Sequence, residues 1–252
     1  MAPKSFHTLI ATTSQLPHIR ILDLNTGAAT HSLVGHTSGG TLGIGWSPRD
    51  EYILASGGVD GTVRLWDVRR AVSCLACLDM GNGGRPKKDS RNIAHEGGVN
   101  GVRWSEDGAL LVTLGKDGKM RTWDMATGRN MMTNFDALIH NRHNLVIPPV
   151  LTPLRMSEPQ LIFTLSGPEI LGFDLNDGTL AKHLKPPQGK KINALVQRPN
   201  RPEFYSASVD GKITAWMPEA LEAEEKEEGE KKRTSVLDTI YRDLARTPIT
   251  FT

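Results

Sequence analysis

An apolar or aromatic residue followed by aspartate occurs as Leu22-Asp23, Trp66-Asp67, Trp123-Asp124 and Phe173-Asp174, and Trp216-Met217 falls where a fifth pair would stand. The spacing is about 43 to 57 residues, which restricts the chain to architectures that stack one small supersecondary unit repeatedly. The best-kept copy of the unit is LASGGVDGTVRLWDVRR, residues 54–70. Leu54, Ser56 and Gly58 alternate with Ala55, Gly57 and Val59; Asp60-Gly61 turns the chain; Val63, Leu65 and Asp67 alternate with Thr62, Arg64 and Trp66. Two period-2 runs joined by Asp-Gly form a β-hairpin, because the tight turn that matches strand twist needs residues tolerant of positive φ.

Reading outward from this hairpin gives strands near 41–47, 52–58, 62–68 and 73–78, and the same order in GGVNGVRWS, ALLVTLG, KMRTWDM and NMMTNF. The first unit has three strands, His7 to Thr12, His18 to Leu24 and Ala28 to Val34; the fifth has three, in KINALVQ, EFYSASV and KITAWMP. In the fourth, Pro148, Pro149 and Pro153 interrupt the opening, since proline cannot donate to a ladder, and QLIFTLS and EILGFDL are the regular strands. The extra length between the second and third units lies in DMGNGGRPKKDSRN, residues 79–92, a loop rich in Gly, Lys and Arg. About eighteen strands result. With 25 Gly and 15 Pro, the composition suits many short strands and tight turns.

A Trp-Asp pair closing a hairpin, preceded by Gly35-His36, resembles a WD repeat, and the series implies an all-β WD40 β-propeller. The expected organisation is about four to five repeats over 1–217, an incomplete part of a seven-bladed ring, and a charged tail over 218–252. In that tail Val236, Leu237, Ile240 and Leu244 give SVLDTIYRDLA one apolar helical face. Nothing approaches eighteen consecutive apolar residues, and Met1 to Arg20 lacks the pattern of a secretory signal, so an intracellular protein without a membrane partner is expected. The net charge of +2 divides into about −3 on the tail and about +5 on the body, well short of a concentrated basic footprint.

Ser56, His36 and Asp60 have the composition of a hydrolytic triad, which makes a hydrolase the alternative of another class, and Thr113, His95 and Asp117 repeat it one unit later. Recurrence favours structure over catalysis, because a reaction centre occurs once and a fastening network occurs in every repeat. The expected structural network is His36, Ser56, Asp60 and Trp66, then His95, Thr113, Asp117 and Trp123. Ser206, Asp210 and Trp216 form a partial third copy, with Pro186-Pro187 in the Gly-His place. No catalytic residue, cofactor or metal is expected. Cys74 and Cys77 are three apart on a strand and point to opposite faces. His140 and His143 read as loop residues, and Gly81, Gly83 and Gly84 with Lys87, Lys88 and Ser90 miss the order of a phosphate loop. Direct nucleic-acid binding through Arg85, Lys87, Lys88, Arg91, Lys190 and Lys191 is disfavoured.

One residue stands outside the repeat. Arg69, two beyond Asp67, has no counterpart after the other pairs, which continue Leu24-Asn25, Met125-Ala126 and Leu175-Asn176. Its planar fork suits an interface. LASGGVDGTVRLWDVR resembles the box of WD-repeat substrate receptors of cullin-4 ubiquitin ligases. The runs LVGHTSGGTLGIGWSPRDEYILASGGVDGTVRLWDVRRAVSCLACLD and AHEGGVNGVRWSEDGALLVTLGKDGKMRTWD are similar to members acting in transcription-coupled nucleotide excision repair, over roughly His7 to Pro218. The resemblance implies a nuclear, non-enzymatic receptor whose partners are the ligase adaptor and cullin-4 complex, with repair or transcription proteins as substrates. It further implies an adaptor surface of Arg69, Asp67 and Trp66, with Arg69 reaching the adaptor and Asp60, Trp66 and Asp67 shaping the blade. A generic WD-repeat scaffold of another complex is the alternative.

Overall fold

A computed structural model describes residues 8–37, 39–70, 74–82, 92–135, 139–141, 145–154, 159–186, 189–198, 201 and 203–217. The expected tail helix, most of the 79–92 loop and His143 lie outside the described residues. The strands form five antiparallel sheets, each a meander in chain order. Sheet 1 is β1 (Leu9–Thr12), β2 (His18–Asp23) and β3 (Ala29–Val34). Sheet 2 is β4 (Thr41–Trp46), β5 (Ile53–Gly58), β6 (Val63–Asp67) and β7 (Cys74–Cys77), and sheet 3 is β8 (Val99–Trp104), β9 (Leu110–Gly115), β10 (Met120–Asp124) and β11 (Arg129–Asn130). Sheet 4 is β12 (Val150–Leu151), β13 (Leu161–Ser166), β14 (Glu169–Asp174) and β15 (Leu180–Leu184), and sheet 5 is β16 (Ile192–Gln197), β17 (Phe204–Ser208) and β18 (Ile213–Trp216).

The core is divided among the gaps between consecutive sheets. Ile19, Ile21 and Leu33 of sheet 1 pack with Leu54 and Trp66 of sheet 2. Ala55 and Val63 pack with Val99, Leu111 and Trp123 of sheet 3. Val112 and Leu114 pack with Ile162, Leu171 and Phe173 of sheet 4. Phe163, Leu165 and Ile170 pack with Ile192, Leu195 and Phe204 of sheet 5. Adjacent residues thus enter different cores: Leu54 faces sheet 1 and Ala55 faces sheet 3, and Leu111 and Val112 divide the same way. This is why β5, β9 and β13 read as almost continuous apolar runs, since a strand buried on both faces has no solvent-facing side. On sheet 5 the face turned away from sheet 4 leaves Val196 60% and Ile213 74% exposed.

The register bears out the opening hairpin. Ser56 pairs with Arg64 and Gly57 with Val63 across the Asp60-Gly61 turn, where Gly61 has φ +75°. Two expectations are corrected. NMMTNF is not a strand over its length: β11 stops at Asn130, the Asn130 side-chain oxygen accepts from Met132 N–H at 3.0 Å, and Met132 takes a left-handed φ of +58° that ends pairing. Conversely LAKHL, unread in the sequence because it is mostly exposed and lacks alternation, is strand β15, joined to β14 through a bulge at Gly172/Phe173.

Shared cores give a clear mutational contrast. Ile162→Ala, at a fully buried position between sheets 3 and 4, is expected to cost about 2–5 kcal/mol in urea unfolding, whereas Ile213→Ala stays within about 0.5 kcal/mol.

Candidate functional site

Register also sorts the side chains by end. Trp46 pairs with Leu54, and Leu54 with Trp66, so the close of β4, the start of β5 and the Asp67-Arg69 segment share one end of sheet 2. The Asp60-Gly61 turn and His36 occupy the other.

At the turn end the expected network is present. His36 Nε2 lies 2.8 Å from Ser56 Oγ and Nδ1 lies 3.1 Å from Asp60 Oδ1, while Trp66 Nε1–H donates to Ser56 Oγ at 2.8 Å. In sheet 3, His95 Nε2 is 2.8 Å from Thr113 Oγ1, Nδ1 is 3.1 Å from Asp117 Oδ1, and Trp123 Nε1–H donates to Thr113 at 2.9 Å. The histidines need glycine beside them: a Cβ at Gly58 would sit 2.4 Å from His36 Nδ1, and one at Gly115 would sit 2.3 Å from His95 Nδ1. Sheet 5 keeps the Trp216 Nε1–H to Ser206 Oγ bond at 2.9 Å, and Asp210 accepts from Ser208 Oγ and from Lys212 N–H. Sheet 4 shows how the network decays. Phe173 stands where sheets 2, 3 and 5 have tryptophan and has no N–H, and the buried Thr164 hydroxyl at the Ser56 position has no partner. Ser166 replaces the glycine, and its hydroxyl accepts from His140 N–H at 3.0 Å.

The hydrolase reading fails on geometry. Ser56 is fully buried, the side chains of His36 and Asp60 are 0% and 4% exposed, and Ser56 Oγ is already held by Trp66, so no substrate carbonyl can reach it. The cysteines, on β7, bond separate carbonyls, Cys74 Sγ to Ala76 O and Cys77 Sγ to Asn92 O, and burial pushes the Cys77 thiol up to about 11.

At the opposite end stands Arg69. Its guanidinium clasps Asp67 in a two-point fork, Nε to Oδ1 at 2.9 Å and Nη2 to Oδ2 at 2.7 Å, and its Cζ lies 4.4 Å from the centre of the Tyr52 ring. The three residues expected at an adaptor surface therefore divide. Trp66 and Asp67 are buried, whereas the Arg69 side chain is 57% exposed. Trp66 and Asp67 shape and hold; only Arg69 reaches outward. The Arg69 hydrogen bond, ahead of opposing desolvation, lowers the Asp67 carboxyl below its ordinary range.

Sequence reasoning missed three polar features. Arg121 Nη1 donates to Asp117 Oδ2 at 3.0 Å, closing the second network with a cation. Asn100 and Asn141, both fully buried, bond each other across 41 residues of chain, and Asn141 Nδ2 also reaches Gly115 O. Arg103 Nη2 donates to Gln197 Oε1 at 3.2 Å across 94 residues.

Burial opposes the charged forms of Asp60 and Asp117. The bonds from His36, Thr37 N–H and Thr62 outweigh it at Asp60, and those from His95, Arg121 and Lys119 N–H do so at Asp117, so both carboxyls lie well below their usual range. A carboxyl depressed in the folded state stabilises fully above its unfolded pKa and loses that contribution as pH falls toward the folded value. Burial first, against the pull of Asp117, also holds His95 below its usual value, which adds a decline in the same direction. Folding stability should therefore fall below about pH 6.5 and steeply below about pH 4. Asp60→Asn should flatten the acid limb in denaturant titrations at several pH values, and Ser56→Ala should cost about 1–3 kcal/mol by stranding Trp66 and His36.

Comparison with known proteins agrees with this geometry. The family model "WD domain, G-beta repeat" matches residues 27–67 and 88–124. The "WD repeat-containing protein ATCSA-1" of Arabidopsis thaliana is 24% identical over 278 residues, covering 84% of this chain and 60% of that protein. "Pre-mRNA-processing factor 17" of Saccharomyces cerevisiae is 26% identical over 190 residues, 72% of this chain and 35% of that one. This chain therefore spans less than two thirds of either relative. A chain in the "Crystal Structure of Mitotic Checkpoint Complex" superposes with a TM-score of 0.62 at 19% identity, over 84% of this chain and 59% of its own length. Repeating hairpins and cores shared between consecutive sheets give an all-β fold of five antiparallel sheets consistent with WD40 propeller blades, with the WD repeat matched over sheets 2 and 3.

Proposed function

We propose that this chain is a non-catalytic substrate receptor of a cullin-4 ubiquitin ligase, acting in the nucleus in transcription-coupled nucleotide excision repair. The observation that carries the reading is Arg69, the exposed, two-point-clasped arginine that the other repeats lack. The fold does not require it, since blades 3 and 4 continue beyond Asp124 and Asp174 with backbone N–H groups capping the aspartate and no arginine. The reading is further supported by the resemblance of residues 33–79 and 94–124 to the Cockayne syndrome group A protein, and by distant similarity to ATCSA-1. In this role the turn-end networks keep the blades rigid, the Arg69 end meets the ligase adaptor, and other loops gather the repair or transcription protein to be ubiquitylated. No bond chemistry is assigned to the chain.

The test is capture of purified cullin-4 adaptor by the full chain. Arg69→Ala should weaken capture at least about tenfold and leave the melting temperature within a few degrees, because the arginine end of the pair is solvent-exposed and Asp67 keeps the backbone N–H of residue 69. Unchanged capture by Arg69→Ala would remove the adaptor from this reading and leave a scaffold of another complex.

A further inference from the structure

The innermost strands of the five sheets converge on a cavity of about 630 Å³, to which Ala11, Trp46, Arg103, Leu151 and Gln197 each contribute from a different sheet. It opens at the end of the sheets that carries Arg69: Trp46 and Trp104 close their strands there, and Gln197 pairs with Phe204, which pairs with Trp216. Its chemistry is one-sided. Arg103 makes one hydrogen bond, to Gln197, and its Nε–H is buried without an acceptor. Burial is the sole influence on its pKa and pushes it down, and no carboxylate among the described residues pairs with it. On the neighbouring strand the Trp46 Nε1–H is also buried and unpartnered, although the corresponding Trp104 Nε1–H donates to Gly45 O at 2.9 Å. Glu106 lines the mouth, but its Oε2 accepts from Leu154 N–H at 3.3 Å and does not reach Arg103.

A guanidinium has five donors in a fixed fork, and one whose Nε–H is shut off from water ordinarily meets an anion. This one presents spare donors beside a second orphan donor, in a space walled by Trp46, Trp104, Pro48 and Pro148 that holds much more than a small ion. We infer that the cavity is a binding site for an acidic polypeptide segment, one carboxylate of which takes the fork of Arg103 while flanking apolar groups pack against the tryptophans and prolines. A single cation balanced against a nearby Glu106 suits a monoanionic carboxylate; a nucleic-acid backbone would require a row of cations. The site is independent of Arg69 and of the ligase reading. A candidate source lies in this chain's own sequence, where a glutamate-rich run over 219–230 follows β18, the strand that ends at the cavity's end.

The experiment measures anisotropy of a fluorescein-labelled peptide of residues 219–230 against the full chain. Saturable binding is expected, weakened at least about tenfold in Arg103→Gln and to the same degree when the peptide's glutamates are replaced by glutamine. The glutamine peptide on the unaltered chain decides the matter even where Arg103→Gln fails to fold. Equal binding of the two peptides overturns the inference. So does the absence of saturable binding both to the unaltered chain and to a full chain whose own glutamates over 219–230 are glutamine. Tighter binding to that altered chain assigns the carboxylate to the chain itself, and unchanged binding assigns it to another polypeptide.

Discussion

The middle strands of sheets 2, 3 and 4 are pressed between two neighbours, and most of the structure follows from that constraint. The apolar residues of β5, β9 and β13 cannot be apportioned to one core, because each successive side chain belongs to a different gap. Registers are thereby fixed twice over: a slip of one residue would exchange the contents of two cores at once. The turn-end networks answer a related problem. They put buried polar groups where only a complete set of partners makes them tolerable, and so specify where each hairpin meets the loop before it.

How much of this was legible in the sequence depended on repetition. Asp60-Gly61, Trp66, His36 and Ser56 read as structural because His95, Thr113, Asp117 and Trp123 say the same thing again, and the two sets make matching hydrogen bonds residue by residue. What does not repeat was invisible. Arg103 and Gln197 meet across 94 residues, and Asn100 and Asn141 across 41, with nothing in their local pattern to mark them. β15 is illegible because an exposed strand carries no apolar alternation, and NMMTNF has the apolar residues of a strand but a ladder that a left-handed residue interrupts. The decay of sheet 4 was read from its prolines, yet the sharper sign is Phe173, whose missing N–H leaves Thr164 alone in the core.

The two ends of the sheets are chemically unlike. At one, histidine, aspartate, hydroxyl and indole groups satisfy one another and close the interior to chemistry. At the other lie Arg69 on the outside and Arg103 in the cavity, two guanidinium groups with donors to spare. Polar groups that satisfy one another are thus concentrated at the turn end, and donors left over at the end where the inner strands close.

The grip on Arg69 has a consequence for the speed and cost of encounter. A free surface arginine samples many rotamers and must be ordered by whatever it meets, at about 0.5–1.5 kcal/mol for a long side chain. Here Asp67 from behind and the Tyr52 ring from below have already ordered it during folding. A protein arriving at this end meets a donor array fixed in place, and the entropy that would have been lost on contact was settled when the chain folded.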